Sequence, residues 1–217
     1  IRPEVAAQSV GFIQSAMLDF GAYTVIDIGA STLDICFFNY INNEGIEKQS
    51  IFTANVDLLG AESINWIKIV NKKFKKKFKN IDLQHSIQKS FHETLLSSKR
   101  EERAGKLNEW KTTIPVILCG GGKESKLHQT ALNKVRDGWN HKNSKLIANL
   151  KFIKITTPED LNVQCDINDY HRLSVAWGLS IEKEQFAKVE LPKDIDDLPP
   201  NPTPPDYTDR FIGPEHI

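Results

Sequence analysis

Residues 25–36 read VIDIGASTLDIC. The apolar runs at both ends are typical of β-strands, and we predict an antiparallel pair over residues 23–28 and 33–40. The turn between these strands consists of four small residues: Gly29, Ala30, Ser31 and Thr32. A carboxylate stands on each side of the turn, at Asp27 and Asp34. The turn therefore carries more polar chemistry than a simple connection between two strands requires.

This composition suits a cradle for phosphate. Small side chains allow the backbone N–H groups of a turn to point at an anion, and the hydroxyl groups of Ser31 and Thr32 add two donors. Asp27 ends the incoming strand, where its carboxylate could hold a magnesium ion through water. An ordinary hairpin with polar residues at its turn explains the same residues, and the local pattern favours neither interpretation.

The overall composition is that of an ordinary folded domain. The chain has 217 residues, 40% of them hydrophobic, and its 28 basic residues balance 28 acidic ones. This balance gives no reason to expect broad attraction to nucleic acid or to a membrane, and no apolar run is long enough to cross one. The cysteines Cys36, Cys119 and Cys165 show no zinc-ligand spacing, so we expect thiols in a cytoplasmic protein. Because the chain begins at Ile1, we expect it to be a piece of a longer protein.

Hydrophobic periodicity predicts the remaining elements. A third strand over residues 46–54 would complete an antiparallel meander, and buried strands are predicted over residues 114–119 and 150–155. Helices are predicted over residues 3–18, after Gly60, around Phe91, around Ala131 with an end at Gly138, and from Asp169. The residues from 187 onward contain most of the prolines and are predicted to form an extended tail.

A second turn of small residues follows the strand predicted over residues 114–119. It consists of three glycines at the start of a predicted helix: Gly120, Gly121 and Gly122. Without side chains, such a turn lets a flat ligand approach the backbone, and the helix N-terminus favours negative charge. A strand-to-helix turn can need a glycine for a positive φ angle, but it does not need three.

Together, the two turns resemble those of the actin, heat-shock-70 and sugar-kinase ATPase superfamily, and the bacterial heat-shock-70-like branch above all. Residues 27–34 resemble its second phosphate motif, and residues 116–122 resemble its adenosine motif. Three further segments resemble the family in the family's order: a connecting helix at residues 1–12, Leu-Gly-Ala-Glu at residues 59–62, and a second connecting helix at residues 172–181. The resemblance covers residues 1–186.

The resemblance implies an α/β fold. The chain would be the C-terminal, ribonuclease-H-like lobe of an actin-type ATPase, with a mixed β-sheet flanked by helices. This lobe would span residues 1–186, with a small helical insert at about 59–113 and a proline-rich tail at 187–217. ATP or ADP would bind with Mg²⁺ in a cleft between this lobe and an N-terminal lobe. The whole protein would hydrolyse ATP, whereas the isolated chain would be inactive.

The resemblance also implies roles for individual residues. Asp27 would hold the magnesium ion through water and act in hydrolysis, and Glu4 would orient the attacking water. The nucleotide would contact Gly29, Ala30, Ser31, Thr32, Gly120, Gly121, Gly122 and Glu124. The chain departs from the family's pattern in three places. Pro3 and Glu4 stand in reversed order, Ala30 and Ser31 replace two glycines of the phosphate motif, and Glu124 replaces an arginine that stacks on the base.

Other interpretations stay open. An actin-like protein that forms filaments by self-association would carry the same motifs, and so would an interaction module that keeps the fold without hydrolysis. The lysine-rich run at residues 71–80 fits a nucleic-acid or lipid patch, but an amphipathic helix with solvated lysines explains it better. The six histidines form no metal-like cluster, and we interpret them as surface or capping residues. The protein client is not predicted.

Overall fold

A computed structural model gives the fold. Its described residues are 19–43, 45–74, 80–104, 113–143, 149–154, 157, 166, 170–180 and 188–190. In chain order they form β1 (Gly21–Ile28), β2 (Leu33–Asn43), β3 (Ile46–Asp57), α1 (Ser63–Phe74), α2 (Asn80–Ala104), β4 (Thr113–Cys119), α3 (Lys126–Asn143), β5 (Asn149–Ile153), α4 (Tyr170–Ser180) and β6 (Lys188–Glu190).

The described strands form one six-stranded sheet in the order β5–β4–β1–β2–β3–β6. The first three strands are the predicted antiparallel meander, with Asp27 paired to Asp34 next to the first turn. β4 lies parallel to β1, and β5 lies parallel to β4. β6 joins the other edge, parallel to β3. A meander extended by parallel strands beside its first strand is the ribonuclease-H-like arrangement, so the predicted fold class is confirmed.

The sheet is buried on both faces around β1. Side chains alternate along a strand, and Ile26 and Ile28 face the larger core while Val25 faces the smaller one. In the larger core, Phe91 of α2 and Leu132 of α3 pack on the sheet. A strand buried on both faces must be apolar at almost every position, which explains why Thr24 is the one polar residue between Ala22 and Ile26.

Helix α3 continues beyond its predicted end. The sequence predicts an end at Gly138, and this is wrong, because the helix reaches Asn143. Trp139 in the additional turns is only 5% exposed and joins the larger core. Asn140 then holds β5, since its side-chain amide donates to the Leu150 carbonyl at 3.0 Å and its side-chain oxygen accepts from the Leu150 N–H at 2.8 Å. These contacts outweigh the helix penalty of about 1 kcal/mol for glycine.

Several predicted segments lie outside the described residues. They are the helix at 3–18, the middle of the lysine-rich run at 75–79, and the chain beyond 190. Residues 188–190 pair with β3 as an edge strand, and the division into lobe, insert and tail stays a prediction. None of the described helices is both long enough and apolar enough to cross a membrane.

Candidate functional site

The turn between β1 and β2 is held from behind by the segment that leads into α1. Three backbone N–H groups of residues 60–62 donate to the carbonyl groups of residues 29–31. The hydrogen bonds run from Gly60 to Ser31 at 3.0 Å, from Ala61 to Gly29 at 2.9 Å, and from Glu62 to Ala30 at 2.8 Å. All three carbonyl groups therefore point toward residues 60–62.

The opposite side of the turn presents N–H groups. In a trans peptide the carbonyl group of one residue and the N–H group of the next point in opposite directions. The N–H groups of Ala30, Ser31 and Thr32 consequently point away from residues 60–62, and no carbonyl group of the described residues accepts a hydrogen bond from them. Ala30 and Ser31 are exposed. Three adjacent outward N–H groups make a site that favours an anion.

Gly60 allows this support of the turn. A Cβ atom at Gly60 would collide with the carbonyl group of Ala30, so residues 60–62 reach the turn only with glycine at this position. The sequence indicated residues 59–62 through resemblance alone. The structure adds a physical reason for the glycine.

The three glycines after β4 have different surroundings. Gly120 has a φ angle of +83°, and a Cβ atom there would overlap the Asp27 carboxylate. Gly122 donates its N–H to the Ile28 carbonyl at 2.7 Å, and a Cβ atom there would lie 2.6 Å from the Ile28 side chain. Gly121 is exposed, and no described atom lies within 4 Å of the position of its missing Cβ. The packing of the chain thus explains two of the glycines but not Gly121.

Asp27 lies where the two turns meet. Because β1 and β4 are parallel with Asp27 opposite Cys119, both strands end at the same edge of the sheet. The N–H of Gly120 also donates to the His171 carbonyl at 2.9 Å, which brings the start of α4 to the same place. The fold therefore brings together Asp27, residues 29–32 and residues 120–122.

Other residues predicted for the site lie differently. Glu124 is a surface residue with its side chain 74% exposed, and its carboxylate lies 3.8 Å from the Lys123 amine. The hydroxyl group of Thr32, predicted to face phosphate, donates to the Asp34 carboxylate at 3.3 Å. Glu4 lies outside the described residues. The functional roles of all predicted site residues stay predictions.

The site fits a metal ion that arrives with its ligand. Among the described residues, no three His, Cys, Asp or Glu side chains lie close enough to hold a metal ion. Magnesium usually binds one or two carboxylates and takes its other ligands from water and phosphate. A single carboxylate at Asp27, beside an anion-binding turn, matches that pattern.

Sequence reasoning missed His128. Its interpretation as a surface or capping residue is wrong, because the ring is completely buried, and His171 is buried as well. Burial lowers the pKa of His128, and the hydrogen bond with Leu59 opposes this shift without cancelling it. The sequence did contain one indication of a partner for His128, since Ser125, a residue type that often caps helices, stands three positions earlier. In the structure its hydroxyl lies 2.8 Å from Nδ1 of His128.

Comparisons with known proteins find similarity in structure only. No protein-family model matches the sequence, and no curated protein matches it. An archaeal actin homolog aligns with a TM-score of 0.44 and 16% identity, over 82% of this chain and 53% of that chain. The PilM-PilN type IV pilus biogenesis complex aligns with a TM-score of 0.36 and 14% identity, over 82% and 51%. The PPX-GPPA enzyme of Aquifex aeolicus aligns with a TM-score of 0.32 and 12% identity, over 63% and 36%.

The chain spans about half the length of the first two structures and about a third of the last. No comparison singles out the heat-shock-70-like branch.

Proposed function

We propose that the chain is the C-terminal nucleotide-binding lobe of a heat-shock-70-like ATPase, which binds ATP or ADP with Mg²⁺ between the two turns. One observation carries the proposal. The carbonyl groups of residues 29–31 accept hydrogen bonds from residues 60–62, so the N–H groups of residues 30–32 point to the other side of the turn. A phosphate group is the biological anion that best suits several converging N–H donors.

Each part of the site would bind one part of the nucleotide. The outward N–H groups donate to phosphate oxygens, and the exposed hydroxyl of Ser31 adds a donor. Asp27 holds the magnesium ion through water, and the ion offsets the negative charge of the phosphates. Gly121 presents backbone without a side chain, which leaves room for the adenosine.

Hydrolysis belongs to the proposal for the whole protein. Phosphoryl transfer depends on positioning and on neutralising charge around the phosphates. The described residues contact a nucleotide from one side, and the resemblance assigns the other side to a second lobe. We therefore expect the isolated chain to bind nucleotide weakly and to turn over little. Glu4 stays a proposed group for orienting water.

A second candidate is an interaction module that binds nucleotide without hydrolysis. Glu124 favours it, because this residue stands where the family has a base-stacking arginine, and its carboxylate is exposed. A glutamate cannot stack on the base as the planar arginine group does, so adenosine would bind more weakly. ATP binding without phosphate release by the full-length protein would support this candidate.

Calorimetric titration of Mg-ADP and Mg-ATP into the full-length protein tests the proposal. We expect binding that needs magnesium and that Asp27→Asn weakens about tenfold or more, since the variant loses the charge beside the metal. Asp137→Asn, which changes an exposed carboxylate on α3, is the matched control and should bind normally. If the folded full-length protein binds neither nucleotide, the proposed function is wrong.

A further inference from the structure

The buried ring of His128 connects the two turns of the site. Its Nε2 atom lies 2.7 Å from the Leu59 carbonyl oxygen, and its Nδ1 atom lies 2.8 Å from the Ser125 hydroxyl. Ser125 precedes α3 and donates its N–H to the Gly122 carbonyl at 2.9 Å, so it is attached to the glycine turn. Leu59 precedes the segment that supports the hairpin turn. The ring therefore bridges the supports of both turns.

The partners of the ring determine its protonation. A carbonyl oxygen can only accept a hydrogen bond, so Nε2 of His128 carries the proton toward Leu59. Nδ1 is then an acceptor, and the Ser125 hydroxyl donates to it. Because burial lowers the pKa of His128, the ring is neutral at pH 7. Both nitrogen atoms are satisfied in one tautomer, and no charge is buried.

The bond to Leu59 acts on the peptide group that holds the hairpin turn. The Leu59 carbonyl and the Gly60 N–H belong to one peptide group and point in opposite directions. His128 binds the carbonyl end, while the N–H end donates to the Ser31 carbonyl at 3.0 Å. Rotation of this peptide group would break both hydrogen bonds, so the imidazole keeps the peptide in the orientation that the turn requires.

We propose that His128 is a positioning residue for the anion-binding turn. By fixing the Leu59–Gly60 peptide group, it couples the glycine turn and α3 to the outward N–H groups of residues 30–32. The phosphate and adenosine halves of the site are thus held as one unit. The effect on nucleotide affinity rests on the proposed function, whereas the effect on the turn does not.

Two variants of nearly equal shape separate the hydrogen bond from packing. His128→Gln keeps an N–H donor for the Leu59 carbonyl, and His128→Met fills similar space without one. In the full-length protein without nucleotide, we expect His128→Met to speed amide hydrogen exchange about tenfold at Gly60, Ala61 and Glu62. Exchange in His128→Gln should stay close to that of the unchanged protein. The same pair of substitutions at the exposed His85 is the control.

Nucleotide binding by the same variants gives the second measurement. We expect His128→Met to bind Mg-ADP about tenfold more weakly and His128→Gln to bind within about twofold of the unchanged protein. Equal amide exchange at residues 60–62 in the two variants would overturn the inference. If the unchanged protein binds Mg-ADP, equal Mg-ADP affinity of the two variants would overturn it as well. If the unchanged protein binds no nucleotide, the proposed function fails, and the exchange data alone decide the role of His128.

A measurement on the unchanged protein protects the test against variants that fail to fold. A long-range ¹H–¹⁵N correlation spectrum distinguishes the two neutral tautomers of histidine from its charged form. We expect His128 to carry its proton on Nε2 at pH 7. A proton on Nδ1 alone would contradict the bridge to Leu59 and overturn the inference.

Discussion

Replacing Gly121 with alanine tests whether its missing side chain serves a ligand. The structure gives no internal reason for glycine here, because no described atom lies within 4 Å of the position of an added Cβ. The φ angle is outside the range that disfavours alanine, unlike that of Gly120 at +83°. The folded protein should therefore accept the methyl group.

The surroundings of Gly121 determine how much the alanine should change the free energy of unfolding and the affinity for Mg-ADP. Alanine restricts the unfolded chain more than glycine does, so Gly121→Ala should leave the free energy of unfolding unchanged or raise it by about 0.4–1 kcal/mol. A methyl group between the backbone and an adenosine ring would prevent close contact. We expect Mg-ADP to bind about tenfold more weakly, a difference of about 1.4 kcal/mol.

Urea denaturation and calorimetric titration of the full-length protein measure the two quantities. Gly138→Ala is the matched control, because Gly138 also has no described atom within 4 Å of its missing Cβ but lies inside α3. The control should gain about 1 kcal/mol of stability from helix propensity and bind normally. Unchanged Mg-ADP affinity in Gly121→Ala, in a protein that binds, would refute the reasoning that the adenosine lies on this glycine.

Three further predictions concern other parts of the molecule. Gly60→Ala should lower the free energy of unfolding by about 3 kcal/mol in urea denaturation, because its Cβ would collide with Ala30 and disrupt three backbone hydrogen bonds at about 1 kcal/mol each; a loss below about 1 kcal/mol would contradict this. Burial lowers the pKa of His128 from 6.5, so the unfolded chain binds more protons and stability should fall as the pH drops below 6.5. Urea denaturation between pH 7 and about 5 should show a smaller decrease for His128→Gln, and an equal decrease would count against the assignment. Asn140→Ala should cost about 1–3 kcal/mol in thermal unfolding, because it removes both side-chain hydrogen bonds with Leu150, and an unchanged melting temperature would show that these bonds contribute nothing.

The hairpin was predictable because its signals are local. Apolar residues on both sides of a run of small residues specify two strands and a turn, and the structure places that turn at residues 29–32. The glycines at positions 120 and 122 also indicated that the backbone approaches its neighbours closely there, and the structure shows this close approach. Local composition therefore identified the parts that the fold later brings together.

The features that the sequence could not indicate depend on contacts between segments that are far apart in the chain. The direction of the carbonyl groups in the turn is set by residues 60–62, about thirty positions later in the chain. The buried ring of His128 forms a hydrogen bond with the Leu59 carbonyl group, which lies 69 positions away in the chain. The end predicted at Gly138 was wrong for the same reason, since the burial of Trp139 is a property of the core and not of the helix.

The geometry of the turn also explains how the proposed anion-binding turn can change its residues and keep its donors. The donors are backbone N–H groups, which every residue except proline carries, so alanine at position 30 and serine at position 31 retain them. Substitution is restricted instead where backbones approach closely, at Gly60 behind the turn and at Gly120 and Gly122 beside it. A search for such sites should thus weigh glycines at the points of approach as heavily as the residues of the turn. By that criterion the proposed site keeps its points of close approach in this chain, although Ala30 and Ser31 stand where the family's motif has glycines.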